Sequence, residues 1–126
     1  MKRNLVLSIT LLFLAALTAM AADVGGQWTA QIPGRGGNTM ETTFTFKVSG
    51  GTLTGTMANQ FGERDISDGK TAGDDVSFNV NIEFGGNQMT FVYKGKVAGN
   101  EIKFTREVKG GDFPGPRTSE FVAKKK

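Results

Sequence analysis

The sequence predicts an all-β domain, folded as an eight-stranded antiparallel up-and-down barrel, with a two-sheet sandwich as the structural alternative. Three observations lead there. Beyond residue 21 no apolar stripe keeps a helical period, and all 18 glycines lie in that part of the chain. Apolar and polar residues alternate there with period two, the mark of strands that bury one face. One phrase also recurs three times, as VSGGTLTGT, DGKTAGDDVSF and YKGKVAGNEIKF. Each copy sets a glycine (Gly50, Gly73, Gly99) before a small or polar residue, followed by an apolar one (Leu53, Val76, Ile102). Such pairs suit the positive φ angles of tight hairpin turns.

The chain opens with what reads as a secretory signal peptide, residues 1–21. Lys2 and Arg3 give it a basic start, residues 5–17 are apolar except for Ser8 and Thr10, and Ala19 and Ala21 supply the small residues a signal peptidase reads. The apolar run is shorter than the ~20 residues of a spanning helix, so the expectation is a secreted or periplasmic protein with no membrane span after cleavage. There is no cysteine. A lipid on an N-terminal cysteine is therefore excluded, as are the disulfides that small exported domains often carry. Residues 22–126 then form one domain, held by packing and closed hydrogen bonding alone.

Eight strands follow, at 27–32, 40–48, 52–57, 64–68, 75–84, 88–97, 101–108 and 118–123. The fifth is the clearest: Val76, Phe78, Val80, Ile82 and Phe84 alternate with Ser77, Asn79, Asn81 and Glu83. Phe44, Phe46 and Val48 repeat the pattern, as do Met89, Phe91 and Tyr93. In a meander the three glycine turns fall at one end. The other connections, 33–39, 58–63, 85–87 and 109–117, fall at the opposite end; they are mostly longer and rich in Gly, Pro and Asn. Closure into a barrel would remove the edges that invite aggregation.

Gly26-Gln27-Trp28 opens the first strand. It resembles the Gly-x-Trp start of the lipocalin and avidin group of calycin-like barrels, and Leu53-Thr54-Gly55-Thr56 is similar to an avidin-type strand. The resemblance implies that Trp28 plugs the closed end. Avidins line their pocket with several tryptophans, whereas Trp28 is the single one here, so biotin binding is not implied. A wider likeness runs from Phe46-Lys47-Val48 and Gly50-Gly51 through Asp68-Gly69-Lys70, Val76-Ser77-Phe78, Tyr93, Gly95-Lys96-Val97 and Glu101-Ile102-Lys103-Phe104-Thr105 to Glu120-Phe121. It resembles a group of small secreted bacterial β-barrel proteins that occur alone or beside carbohydrate-active domains. That resemblance implies an accessory role in polysaccharide processing and carries over no catalytic residue.

Chemistry is sparse. With no histidine and no cysteine, the usual base of a Ser or Cys nucleophile and the common zinc and haem ligands are missing. No cofactor, metal site or catalytic residue is expected. Glu63, Asp65 and Asp68 are close in sequence, as the two carboxylates of a glycosidase must be in space. Asp65 and Asp68 differ in parity, however, which sends them to opposite faces of a regular strand. The stretch from Asp65 to Gly69 lacks calcium-loop spacing, and Asp74-Asp75 reads as a turn. Removing Lys2 and Arg3 leaves thirteen basic against twelve acidic residues, and no basic stripe points to nucleic acid. The tail Lys124-Lys125-Lys126 reads as a solvated end.

Parity is more informative. If Ile102 and Phe104 point inward, so does Arg106; if Ile66 does, so does Arg64. Both arginines would sit near the open mouth, where they could anchor an anionic or polyhydroxyl ligand entering over Met40, Met57, Phe84 and Met89. The alternative is a β-bulge that resets the phase, or loop carbonyls that satisfy the arginines. The phenylalanines either fill the interior or line a cavity. Phe61 and Phe113, in predicted loops near Asn59, Gln60 and Arg117, form either a platform for sugar rings or lids on the core. The expected function is non-catalytic binding of a small amphiphile or a glycan at the loop end. The alternative is a solid barrel whose loops dock a polysaccharide or protein partner, and a carboxylate-based glycosidase comes third.

Overall fold

The computed structural model describes residues 23–126, apart from Asp112, Pro114 and the side chains of Arg35 and Phe84. The expected signal peptide lies outside the described residues. The strands are β1 (Gly26–Pro33), β2 (Thr39–Ser49), β3 (Thr52–Asn59), β4 (Gly62–Asp65), β5 (Ser67–Ala72), β6 (Asp75–Phe84), β7 (Asn87–Ala98), β8 (Glu101–Lys109) and β9 (Thr118–Lys125). Each neighbour pair is antiparallel, and the sheet closes because β1 pairs with both β2 and β9. The result is a closed eight-stranded up-and-down barrel with β4 as an extra strand, which rules out the sandwich.

The closing seam corrects one expectation. Lys124 and Lys125 do not form a solvated tail but complete β9, where they pair with Thr29 and Trp28. The Lys126 amide donates to the Gln27 carbonyl at 3.0 Å. Alternation of apolar residues ends at Ala123, so side-chain pattern alone could not reveal pairing carried by the backbone.

The fourth predicted strand is corrected as well. It divides at Ile66, whose amide donates to the Gly55 carbonyl (3.0 Å), and it runs on to Ala72 through a register shift between Ser67 and Lys70. Asp68 takes φ +52° there. Gly69 lies so close to β3 that a Cβ would sit 2.0 Å from the Leu53 carbonyl oxygen. This bulge overturns the parity argument for Asp65 and Asp68. Both are exposed, and Asp68 accepts a hydrogen bond from Asn79 Nδ2 (3.2 Å). Above the bulge β4 pairs with β3 alone, and β6 from Val80 onward pairs with β7 alone. The wall therefore parts between β4 and β6.

The repeated phrases form the two-residue turns β2–β3, β5–β6 and β7–β8 at one end. Gly50, Gly73 and Gly99 have φ of +56°, +59° and +62°, which only glycine adopts cheaply. The opposite end is tighter than expected. Gln60-Phe61 also makes a two-residue turn, capped by Asn59 Oδ1, which accepts from the Phe61 amide (2.9 Å). Only residues 34–38 and 110–117 are long connections there.

Side chains fill the closed half of the barrel. Val24 and Trp28 plug its end, and the Trp28 indole donates to the Val24 carbonyl (3.0 Å). Above them Phe44 lies within 5.6–6.4 Å, centroid to centroid, of Phe46, Phe78, Tyr93, Phe104 and Phe121. Edge-to-face and offset pairs of this kind add about 0.5–1.5 kcal/mol each beyond area burial. Gly95 makes room for them: a Cβ there would lie 2.7 Å from the Phe104 ring. Val48, at the hairpin tip, is half-exposed instead of extending the core.

Replacing Trp28 by alanine is expected to lower stability by about 3–5 kcal/mol in chemical denaturation; a loss under about 1 kcal/mol would remove it from the plug. Gly99→Val meets open space but must adopt positive φ, and should cost about 1–3 kcal/mol. An unchanged melting temperature would contradict the turn.

Candidate functional site

The aromatic fill stops at Tyr93. Above it a cavity of about 520 Å³ reaches the open end. Alternation in β2, β3, β7 and β8 sends Met40, Thr42, Met57, Met89, Phe91, Tyr93 and Arg106 into it, and Arg64 enters from β4. Ile32 and Ile82 add apolar wall, and Glu83 stands at its edge beside the parting of β4 and β6. Apart from the two guanidiniums, Glu83, Thr42 and the Tyr93 hydroxyl, the side chains named here are apolar.

Arg106 is only 5% exposed. It sits in register between Tyr93 of β7 and Ser119 of β9. Its Nη2 donates to the Pro33 carbonyl (3.3 Å) and to Ser119 Oγ (3.4 Å). The guanidinium carbon lies 5.2 Å from the Phe91 ring centroid and 5.7 Å from that of Phe113. Its Nε has no hydrogen-bond partner, the one buried side-chain nitrogen or oxygen in that state among the described residues. Arg64 is half-buried and opposite Met57 in register. It stands across the barrel from Arg106, because β4 and β8 lie on opposite sides of the circuit. Ion pairs among the described residues are Lys96–Asp75 and Lys125–Asp23, so neither cavity arginine has a carboxylate partner there.

Tyr93 joins the packed half to the hollow one. Its ring stacks on Phe78 at 4.7 Å, and its hydroxyl donates to Met57 Sδ (3.4 Å). Burial pushes its pKa up to about 12, although the positive charge of Arg106 pulls it partly back. The hydroxyl is thus a donor, not an anion, at every ordinary pH.

Of the residues singled out from sequence, Arg64, Arg106, Met40, Met57, Met89, Phe61 and Phe113 come together around this cavity. The side chain of Phe84 lies outside the described residues. Arg117 is a correction: it does not line the cavity but is exposed, and its Nη1 donates to the Gly110 and Gly111 carbonyls (3.4 and 3.3 Å). It ties the loop between β8 and β9. Phe113 is half-buried and meets Phe91 edge-to-face at 5.1 Å, so it covers the mouth. Phe61, at a hairpin tip, is 71% exposed. Tyr93, Ile32 and Thr42 were missed as lining, although each shares strand parity with a residue that was found. Glu63, Asp65 and Asp68 are exposed and do not line the cavity, which leaves a glycosidase pair without a binding cleft. A second, more open groove over Asn81, Ile82, Gln88, Met89, Thr90 and Lys109 mixes polar and apolar side chains; there Thr90 Oγ1 donates to Asn81 Oδ1 (3.0 Å).

Comparisons with protein-family models, with curated proteins and with solved structures each give no match. Function has to be read from the cavity itself.

Tyr93 is the single tyrosine, so phenolate absorbance reports on it alone. Between pH ~10 and ~12 the unfolded chain has lost the tyrosyl proton while the native state keeps it. This contribution is therefore constant below pH ~10, and stability falls by about 1.4 kcal/mol per pH unit between pH ~10 and ~12. Absorbance should stay flat past pH 10 and rise near 12 or with unfolding. A native protein that titrates near 10 would place the hydroxyl in water.

Proposed function

We propose that the chain is an exported, non-catalytic binding protein that holds a small amphiphile in the open half of the barrel. The observation that carries this reading is the cavity of about 520 Å³ with a predominantly apolar wall and a buried guanidinium. Its size falls within the ~300–1,000 Å³ usual for ligand sites, and apolar lining with a few placed polar groups is their usual chemistry. An apolar body gains from the methionine and phenylalanine wall, while a polar head meets Arg106 or Arg64. A glycan fits this lining less well, because most of its hydroxyls would lose water without finding partners. Export rests on the basic, apolar and small-residue segments of residues 1–21.

One observation favours a second reading. Phe61 stands exposed at the mouth, where it could meet a polysaccharide or a partner protein as part of an accessory module.

The test is a thermal-shift screen of protein produced from the full-length chain, against fatty acids, small anions and oligosaccharides. A ligand at a hundred times its dissociation constant adds about 2.7 kcal/mol, roughly ten degrees in a domain this small. Fatty acids are expected to raise Tm, with the shift reduced by Met57→Glu, which puts charge in the wall. A screen in which oligosaccharides alone shift Tm, and Phe61→Ala abolishes that shift, would replace this reading with the second.

A further inference from the structure

We infer that Arg106 is the head-group site of the cavity and that the amphiphile it receives carries a single carboxylate, an inference that rests on the binding reading above. A guanidinium cannot shed its proton, so the interior holds a permanent charge. Its present partners are neutral, a carbonyl and a hydroxyl at 3.3 and 3.4 Å, long beside the usual ~2.9 Å. The Phe91 and Phe113 rings offer only π faces. No carboxylate among the described residues is within ion-pair distance, and Nε lacks any partner. A buried charge in this condition is costly, and what would complete it is an anion.

The chemistry of that anion follows from the same atoms. A carboxylate places two oxygens on adjacent N–H groups of a guanidinium, which a point anion or a hydroxyl cannot do. Arg106 is the buried guanidinium and Arg64 stands half-buried across the barrel, so a dianionic phosphate held at Arg106 would leave one charge unmatched among Met40, Met89 and Phe91. Tyr93 faces Arg106 directly in register. Its hydroxyl now donates to a sulfur, a weak acceptor, and can turn to the incoming carboxylate as a further donor. Because burial keeps the hydroxyl protonated, it does not repel an anion. Phe113 lies over the guanidinium and shields the pair from water.

The experiment is calorimetric titration of the protein with dodecanoate, dodecanol and dodecyltrimethylammonium, each below its micelle concentration. Dodecanoate should bind roughly tenfold more tightly than dodecanol, and the cation should not bind. Arg106→Met should bind acid and alcohol equally, while Lys94→Gln on the outer face should keep the preference. In wild-type protein the Arg106 Nε–H resonance should move with dodecanoate and stay in place with dodecanol, a readout that holds even if the variant fails to fold. Equal wild-type binding of acid and alcohol would overturn the carboxylate inference and leave the apolar cavity standing. So would an unmoved Nε–H signal with dodecanoate bound, or a preference that survives Arg106→Met and vanishes in Arg64→Gln. Failure of all three probes to bind would overturn the cavity reading itself.

Discussion

How far aromatic side chains fill the barrel decides everything above them. Phe44 gathers Phe46, Phe78, Tyr93, Phe104 and Phe121 around it, and Val24 and Trp28 seal the end below. This cluster must hold the fold together, since there is no cysteine to cross-link it and the surface ion pair Lys96–Asp75 is well solvated. With stability concentrated in one half, the other half is free to be lined and not filled. Flexible, polarizable methionines line it, as suits a wall that adapts to what it encloses.

The closed and open ends are built on different principles. At the closed end, short glycine turns and the β1–β9 seam leave little backbone unpaired. At the open end, above the bulge at Asp68, β4 pairs with β3 alone and β6 loses a partner from Val80 onward. The last residue of β1, Pro33, supplies a carbonyl for Arg106, and the long connection 110–117 supplies a cover from Phe113. Arg117 then holds the covering loop by its carbonyls. A buried arginine in such surroundings is destabilising in itself, and buried ionic groups of this kind tend to mark function.

Much of this was legible in the residues, for a physical reason. Period-two alternation is imposed by the strand itself, so Val76, Phe78, Val80 and the inward Arg106 could be read directly. The glycine turns were equally plain, because positive φ restricts residue choice. What could not be read depends on phase and on backbone pairing. The bulge at Asp68 carries no side-chain signal that separates it from a turn, and the parity of Asp65 and Asp68 failed there. Lys124 and Lys125 close the barrel through their backbone while their side chains look like a tail. Whether the phenylalanines filled the interior or lined it was open in the sequence; the structure divides them, with Phe44 in the fill and Phe91 in the wall. Arg117 looked like its neighbours in the loop, and only its two carbonyl partners set it apart.

The barrel is packed up to Tyr93 and hollow above it. Past residue 22 the chain has three methionines, Met40, Met57 and Met89, and all three line the cavity. Their ¹³C-labelled methyl groups therefore report on the hollow half alone. Xenon enters dry apolar cavities and leaves packed cores untouched. Under xenon pressure saturable shifts are expected at all three methyl signals, with the Trp28 indole signal unchanged. Three methyl signals that do not respond would mean that the barrel is solid to its mouth.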